Sequence, residues 1–328
     1  MFENYKYSRE LAKRFISDYK LPMPLINEDI FRYNLNLYEK DFGALSKYVF
    51  LMFHIDDKFG GDINKFLEDY YSTRDKIITT IESSSAFQRF NNMDMSVFSY
   101  KKTHNITSNN IYNCDNVHKH FISIDLCKAN FQALSYVDAN IVLNYDTYED
   151  FIGYFTPSYY MKDSKYSRQV IFGKMNPKRH ITVEKYLMDK IYHYIKDRYP
   201  QLSNPVSVMS DEIVYEVNYD DVVGKLNIED IKNDIAFDLS LDVKIEFFHL
   251  GGAQLYTENC TRSPFFIKSI IDINTERGIN QKLVSVPLPY HMIIYKLHNN
   301  MPLVPFDYHF DYEGMDCVMN EKFRLKYL

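Results

Sequence analysis

Two short β-branched runs, each delivering an acid, constrain this chain more than any other feature of it. HFISIDL, residues 120–126, reads as a strand that ends on Asp125. PVSVM and IVYEV flank Ser210, Asp211 and Glu212, which predicts a hairpin with acids at its tip. Helix-forming sequence surrounds both, so the expected class is α+β: a small antiparallel sheet carrying acids, with helices around it.

The helices are legible from periodicity and breakers. ENYKYSRELAKRFISDYK and FGALSKYVFLMFHI are rich in helix formers, FGGD at 59–62 interrupts them, and INKFLEDYYSTRDKIITTIE resumes the pattern. Residues 1–82 therefore form a helical N-terminal unit. Residues 83–117, rich in Ser and Asn, read as a linker with loops. Ser164–Met175 reads as a short helix stopped by Asn176-Pro177, because the residue before proline is pushed from helical angles. Residues 181–199 show an amphipathic face at Leu187, Ile191, Tyr194 and Ile195 and close at Pro200. VKIEFFHL and AQLY, meeting across Gly251-Gly252, predict a second hairpin. On this reading 118–220 holds the central motifs and 221–328 is a C-terminal extension.

Composition excludes several classes. The 328 residues suffice for a full core without disulfides or metal staples, and 46% hydrophobic with 25% charged residues is a globular balance. The longest strongly apolar run, Tyr48 to Ile55, is too short for a membrane span, and the N-terminus lacks the apolar core of a secretory signal. Cys114, Cys127, Cys260 and Cys317 are scattered and suit a reducing cytoplasm, bacterial or virus-infected. Twenty-nine Tyr and 24 Phe with no Trp hint at an AT-rich genome, such as that of a phage or other virus.

The net charge of −6 would discourage nucleic-acid binding, since phosphate affinity comes from Lys and Arg. The basic charge is concentrated, however. Between Met161 and Tyr186, seven Lys or Arg stand against the two acids Asp163 and Glu184. On a helix, Lys165, Arg168, Phe172 and Met175 are spaced by three, four and three and share a face: two cations for a triphosphate, one ring for a base. Two carboxylates on adjacent strands can hold a pair of divalent cations that activate an attacking hydroxyl and stabilise a leaving phosphate oxygen. Magnesium suits such all-oxygen sites, with manganese as a substitute.

In order and local structure, SIDLCKANFQAL (123–134), SKYSRQVIFGKMNP (164–177) and VSVMSDEIVYEV (206–217) resemble motifs A, B and C of the family A nucleic-acid polymerases. That is the group of bacterial DNA polymerase I and the single-subunit phage RNA polymerases. The resemblance implies a palm with small antiparallel sheet, reduced helical fingers, and a thumb-like role for residues 1–82. It makes Asp125 and Asp211 the metal ligands, with the Leu126 carbonyl beside them and Glu212 in support. Arg168 falls on the triphosphate-binding position, with Lys165 beside it, and Phe172-Gly173 falls on the aromatic-Gly pair facing the incoming nucleotide. Lys178 and Arg179 would meet template or primer phosphates, and Cys127 is expected to line the site.

The chain departs from the family at three positions. Ser210 replaces the motif C His near the primer end, Asn130 stands where DNA enzymes carry a sugar-selecting Glu, and Asn176 stands where motif B has Tyr. The expected function is a nucleotidyltransferase, a template-dependent DNA polymerase extending a 3′-OH, with nucleic acid and nucleoside triphosphates as partners. RNA synthesis of the primase kind, untemplated tailing, a non-catalytic polymerase fold that binds nucleic acid or a replication partner, and a metal-dependent nuclease remain open. Two further groups mix potential ligands: His54, Asp56, Asp57 and Asp62, and Asp307, His309, Asp311 and Asp316. Both read as ordinary polar turns and loops.

Overall fold

A computed structural model describes residues 6–98, 110–202, 205–258, 260–272 and 277–328. The N-terminal helices form where the pattern places them: α1 (Arg9–Tyr19), α2 (Glu28–Leu37), α3 (Glu39–Phe42), α4 (Ala44–Phe59) and α5 (Ile63–Ser83). Ser8 caps α1 by accepting from the Leu11 amide. The FGGD break works as its chemistry dictates: Gly60 takes a left-handed φ of 58° to end α4, and Asp62 caps α5 through the Asn64 and Lys65 amides.

The stretch read as a linker is partly ordered as helix. α6 (Ser85–Asn92) is capped by Ser84 and buries Ala86, Phe87 and Phe90, and a 3₁₀ turn follows at Met95–Phe98. Its Ser and Asn residues suggest loops, yet they serve as a cap and a wet face around three buried apolar residues. The remainder of that linker reading falls largely outside the described residues.

β1 (His120–Leu126) matches the expected strand. After it come α7 (Ala129–Val137), α8 (Tyr148–Phe155), α9 (Tyr159–Asp163), α10 (Lys165–Gly173) and α11 (Pro177–Arg198). β2 (Pro205–Val208) and β3 (Glu212–Val217) form the expected acid-tipped hairpin, closed by Met209 N donating to Glu212 O at 2.7 Å. The rest comprises α12 (Tyr219–Val222), α13 (Ile228–Leu239), β4 (Val243–Tyr256), β5 (Phe265–Asp272), β6 (Arg277–Val284), α14 (His291–His298), β7 (His309–Tyr312), β8 (Met315–Val318) and β9 (Arg324–Tyr327).

The fold is α+β. A seven-stranded antiparallel sheet runs β2-β3-β1-β4-β5-β6, with β9 also paired to β4, and β7-β8 form a separate ribbon. The expected hairpin at Gly251-Gly252 does not form: β4 runs straight through both glycines. β1 pairs with the first half of β4 and β9 with its last four residues. Where those two neighbours meet, a Cβ on Gly252 would lie 2.8 Å from Val117 Cγ2 and 3.3 Å from Leu328 Cδ1. The glycine permits close approach rather than a turn. Residues 221–328 thus continue the central sheet.

Pleating gives the sheet two unlike faces. Ile122, Ile124, Ile213, Tyr215, Val243 and Phe247 pack into one large core with α1, α4, α5, α7, α10 and α11. The opposite face carries Phe121, Val214, Phe248, Leu250 and Ile270 as a smaller cluster, and beside it the ionisable side chains described next.

Candidate active site

Strand register sets the site. Asp125 lies opposite Glu212 on β3 and opposite Lys244 on β4, while the next row on the same face is Val214, Ser123 and Glu246. The Leu126 amide donates to Asp211 O at 2.8 Å, so the hairpin tip is bound to the end of β1. Gln132 on α7 secures the other side: its Nε2 donates to the carbonyls of Cys127 and Asp242, and its Oε1 accepts from the Asp242 amide at 2.9 Å. Two acids 86 positions apart in the sequence are thereby held side by side.

Their electrostatics record the proximity. Burial, then the Asp211 charge, pushes the Asp125 carboxyl up to about 6, against the pull of Lys244 and Lys165. Glu212 is also raised, by burial first and by Asp125 and Asp211 among its neighbours, while Lys268 opposes. Ser210 Oγ lies 3.4 Å from Asp211 Oδ1. Cys127 is half-buried, with burial and Asp242 raising its thiol to about 11.

The basic helix meets this acid row at its first turn. Ser164 caps α10 through the Ser167 amide at 2.9 Å, and Lys165, the next residue, is exposed and near enough for its charge to act on Asp125. Arg168 is half-buried with its guanidinium 5.6 Å from the centre of the Tyr148 ring. The shared face expected of Lys165, Arg168, Phe172 and Met175 crosses from solvent into core. Phe172 is 0% exposed, its ring packed against Phe131 and Tyr148, so it presents no free face on which a base could stack.

Other expected nucleotide and nucleic-acid contacts divide in the same way. Asn130 is half-buried and donates to Glu184 Oε1 at 3.2 Å. Asn176, at a left-handed φ of 62° before α11, donates to Asn91 Oδ1 at 3.1 Å. Arg179 donates to the Met93 carbonyl and lies over Phe90, whereas Lys178 is exposed.

Sequence reasoning misses Glu184. It is 5% exposed on α11, and burial followed by the Asp211 charge raises it to about 7. Its signal is present in the chain: with His180, Leu187 and Ile191 it lies on the buried stripe of that helix, where an acid is unusual. Lys268, buried inside the apolar run FFIKSII of β5, carries the same kind of signal.

Among the described residues, no group of three or more His, Cys, Asp or Glu side chains is placed to hold a metal ion. His54 pairs with Ser158 Oγ at 3.2 Å and Asp62 is a helix cap, while Asp307 is buried against Lys296 and His309 pairs with Asp316 at 2.7 Å. The Asp125–Asp211 pair is a different donor set: two carboxylates with an adjacent backbone, already repelling one another. Such all-oxygen donors are of the kind a hard divalent cation takes, with water completing its coordination. None of the described helices is long and apolar enough to cross a membrane. No protein-family model matches the chain, and neither a curated protein nor a solved structure shows significant similarity to it.

Proposed function

We propose that this protein is a nucleotidyltransferase with a family A-like palm, a template-dependent DNA polymerase that extends a 3′-OH and releases pyrophosphate. The observation that carries the reading is the binding of the Asp211 backbone to the end of β1 beside Asp125, with the Lys165 charge acting on Asp125. A carboxylate held protonated by burial and by a neighbouring acid is poised for divalent cations, and magnesium would supply activation of the attacking hydroxyl and charge neutralisation on the phosphates. Lys165 would grip the triphosphate, with Arg168 behind it. Half-buried Asn130, held by the buried Glu184, would meet the sugar of the incoming nucleotide.

The buried Phe172 favours a second reading: a polymerase-like fold that binds nucleic acid without incorporating nucleotides. Incubation with a labelled primer-template, each nucleotide set and Mg²⁺ separates the two. Extension is expected in the wild type, with losses of at least about a hundredfold in Asp125→Ala and Asp211→Ala. Unchanged extension in either variant would discard the two-metal assignment. Salt-sensitive binding without incorporation would favour the second reading, and primer degradation without nucleotides would indicate a nuclease.

A further inference from the structure

Beside the acid row, three lysines converge on one carboxylate. Glu246 Oε1 lies 2.5 Å from Lys244 Nζ and 3.0 Å from Lys282 Nζ, and its Oε2 lies 2.6 Å from Lys268 Nζ. They come from three adjacent strands, β4, β5 and β6, and occupy the face that also bears Asp125. Lys268 and Lys282 are direct cross-strand partners, an arrangement that costs stability because like charges stand opposite. Lys268 is buried, lies 4.1 Å from the centre of the Phe248 ring and donates to Ser123 Oγ at 3.4 Å.

One glutamate cannot neutralise three ammonium groups. Despite burial, the lysines hold Glu246 down at about 2, and Lys282 is lowered by burial first and by the positive charges of Lys244 and Lys268. Lys268 is spent inside the sheet, but the Lys244 and Lys282 side chains are 53% and 42% exposed. Part of the Lys244 charge is felt by Asp125; a cation at the acid pair would release it. An exposed pair of cations fixed on rigid strands, with Lys244 directly opposite Asp125 and Lys282 farther along the same face, is suited to a strand of phosphates that ends at the acids.

We propose that Lys244 and Lys282, oriented by Glu246 and backed by Lys268, form a phosphodiester-binding seat for the nucleic-acid strand whose end reaches Asp125 and Asp211. The inference rests on the nucleic-acid reading above. Equilibrium binding of fluorescent oligonucleotides, DNA and RNA in separate arms and without nucleotides or divalent cations, tests it across a salt series. Lys244→Gln/Lys282→Gln should weaken binding of any sequence and reduce the salt slope by about one for each phosphate no longer neutralised. Lys244→Arg/Lys282→Arg should retain the slope, and Lys225→Gln, an exposed lysine elsewhere, should leave it unchanged. Lys244→Gln alone, at the more exposed position, should give the same loss at half size should the double variant fold poorly. An unchanged slope in the Gln variants, equal loss in the Arg pair, or no oligonucleotide binding by the wild type would overturn the seat. Binding without primer extension would instead remove the polymerase reading and leave the seat standing.

Discussion

Glu184 ties a single buried side chain to a measurable pH dependence. Its carboxyl holds a proton up to about 7 in the folded protein, against an ordinary value of 4.5, and Asp125 holds one up to about 6 against 3.8. The folded state therefore binds more protons than the unfolded chain across this window. The stability these two carboxyls contribute is greatest below about pH 4, falls as pH rises through the two windows, and is fully lost above about pH 7. For Glu184 the loss is on the order of 3 kcal/mol. Glu184→Gln should flatten the thermal midpoint between pH 5 and 8 and raise it at pH 8; a wild-type slope in calorimetry would assign the effect elsewhere. Asp125 and Asp211 are legible in the sequence because each closes a strand or turn signal. The position of Phe172 is not, because helical spacing identifies a shared face but not where that face passes beneath Phe131 and Tyr148, which arrive from α7 and α8.

At the scale of elements, β1, the β2-β3 hairpin and α10 are readable from local chemistry, since alternation, a tight polar tip and a proline stop each act within a few residues. β4 is not. Two glycines between apolar runs satisfy a turn rule, and only the long-range meeting of Val117 and Leu328 explains why a continuous strand needs one of them. Gly252→Ala should consequently destabilise the protein by about 1–3 kcal/mol, through overpacking. Gly278→Ala, where an added Cβ meets nothing within 4 Å, is the matched control in urea denaturation. Equal midpoints for the two variants would contradict the crowded junction.

For the molecule as a whole, the sequence suggests a helical, thumb-like N-terminal unit over residues 1–82, and the core of those helices is continuous with that beneath the sheet. The join is built on Asp18, which is fully buried on α1. It accepts from Tyr70 of α5 at 3.0 Å, Tyr160 of α9 at 2.6 Å and Ser164, the α10 cap, at 2.8 Å, and pairs with Arg14 at 3.3 Å. No sequence pattern announces such a node, because its members lie up to 146 positions apart and each looks like an ordinary polar residue in its own segment. Asp18→Ala would strand a buried guanidinium and three hydroxyls, a loss of about 3–5 kcal/mol. Since Ser164 orients the helix that carries Lys165 toward Asp125, the damage should reach the whole protein. Calorimetry is expected to show one transition displaced to lower temperature. A split into two transitions, with only the earlier one moved, would mean that the N-terminal helices fold as a unit of their own.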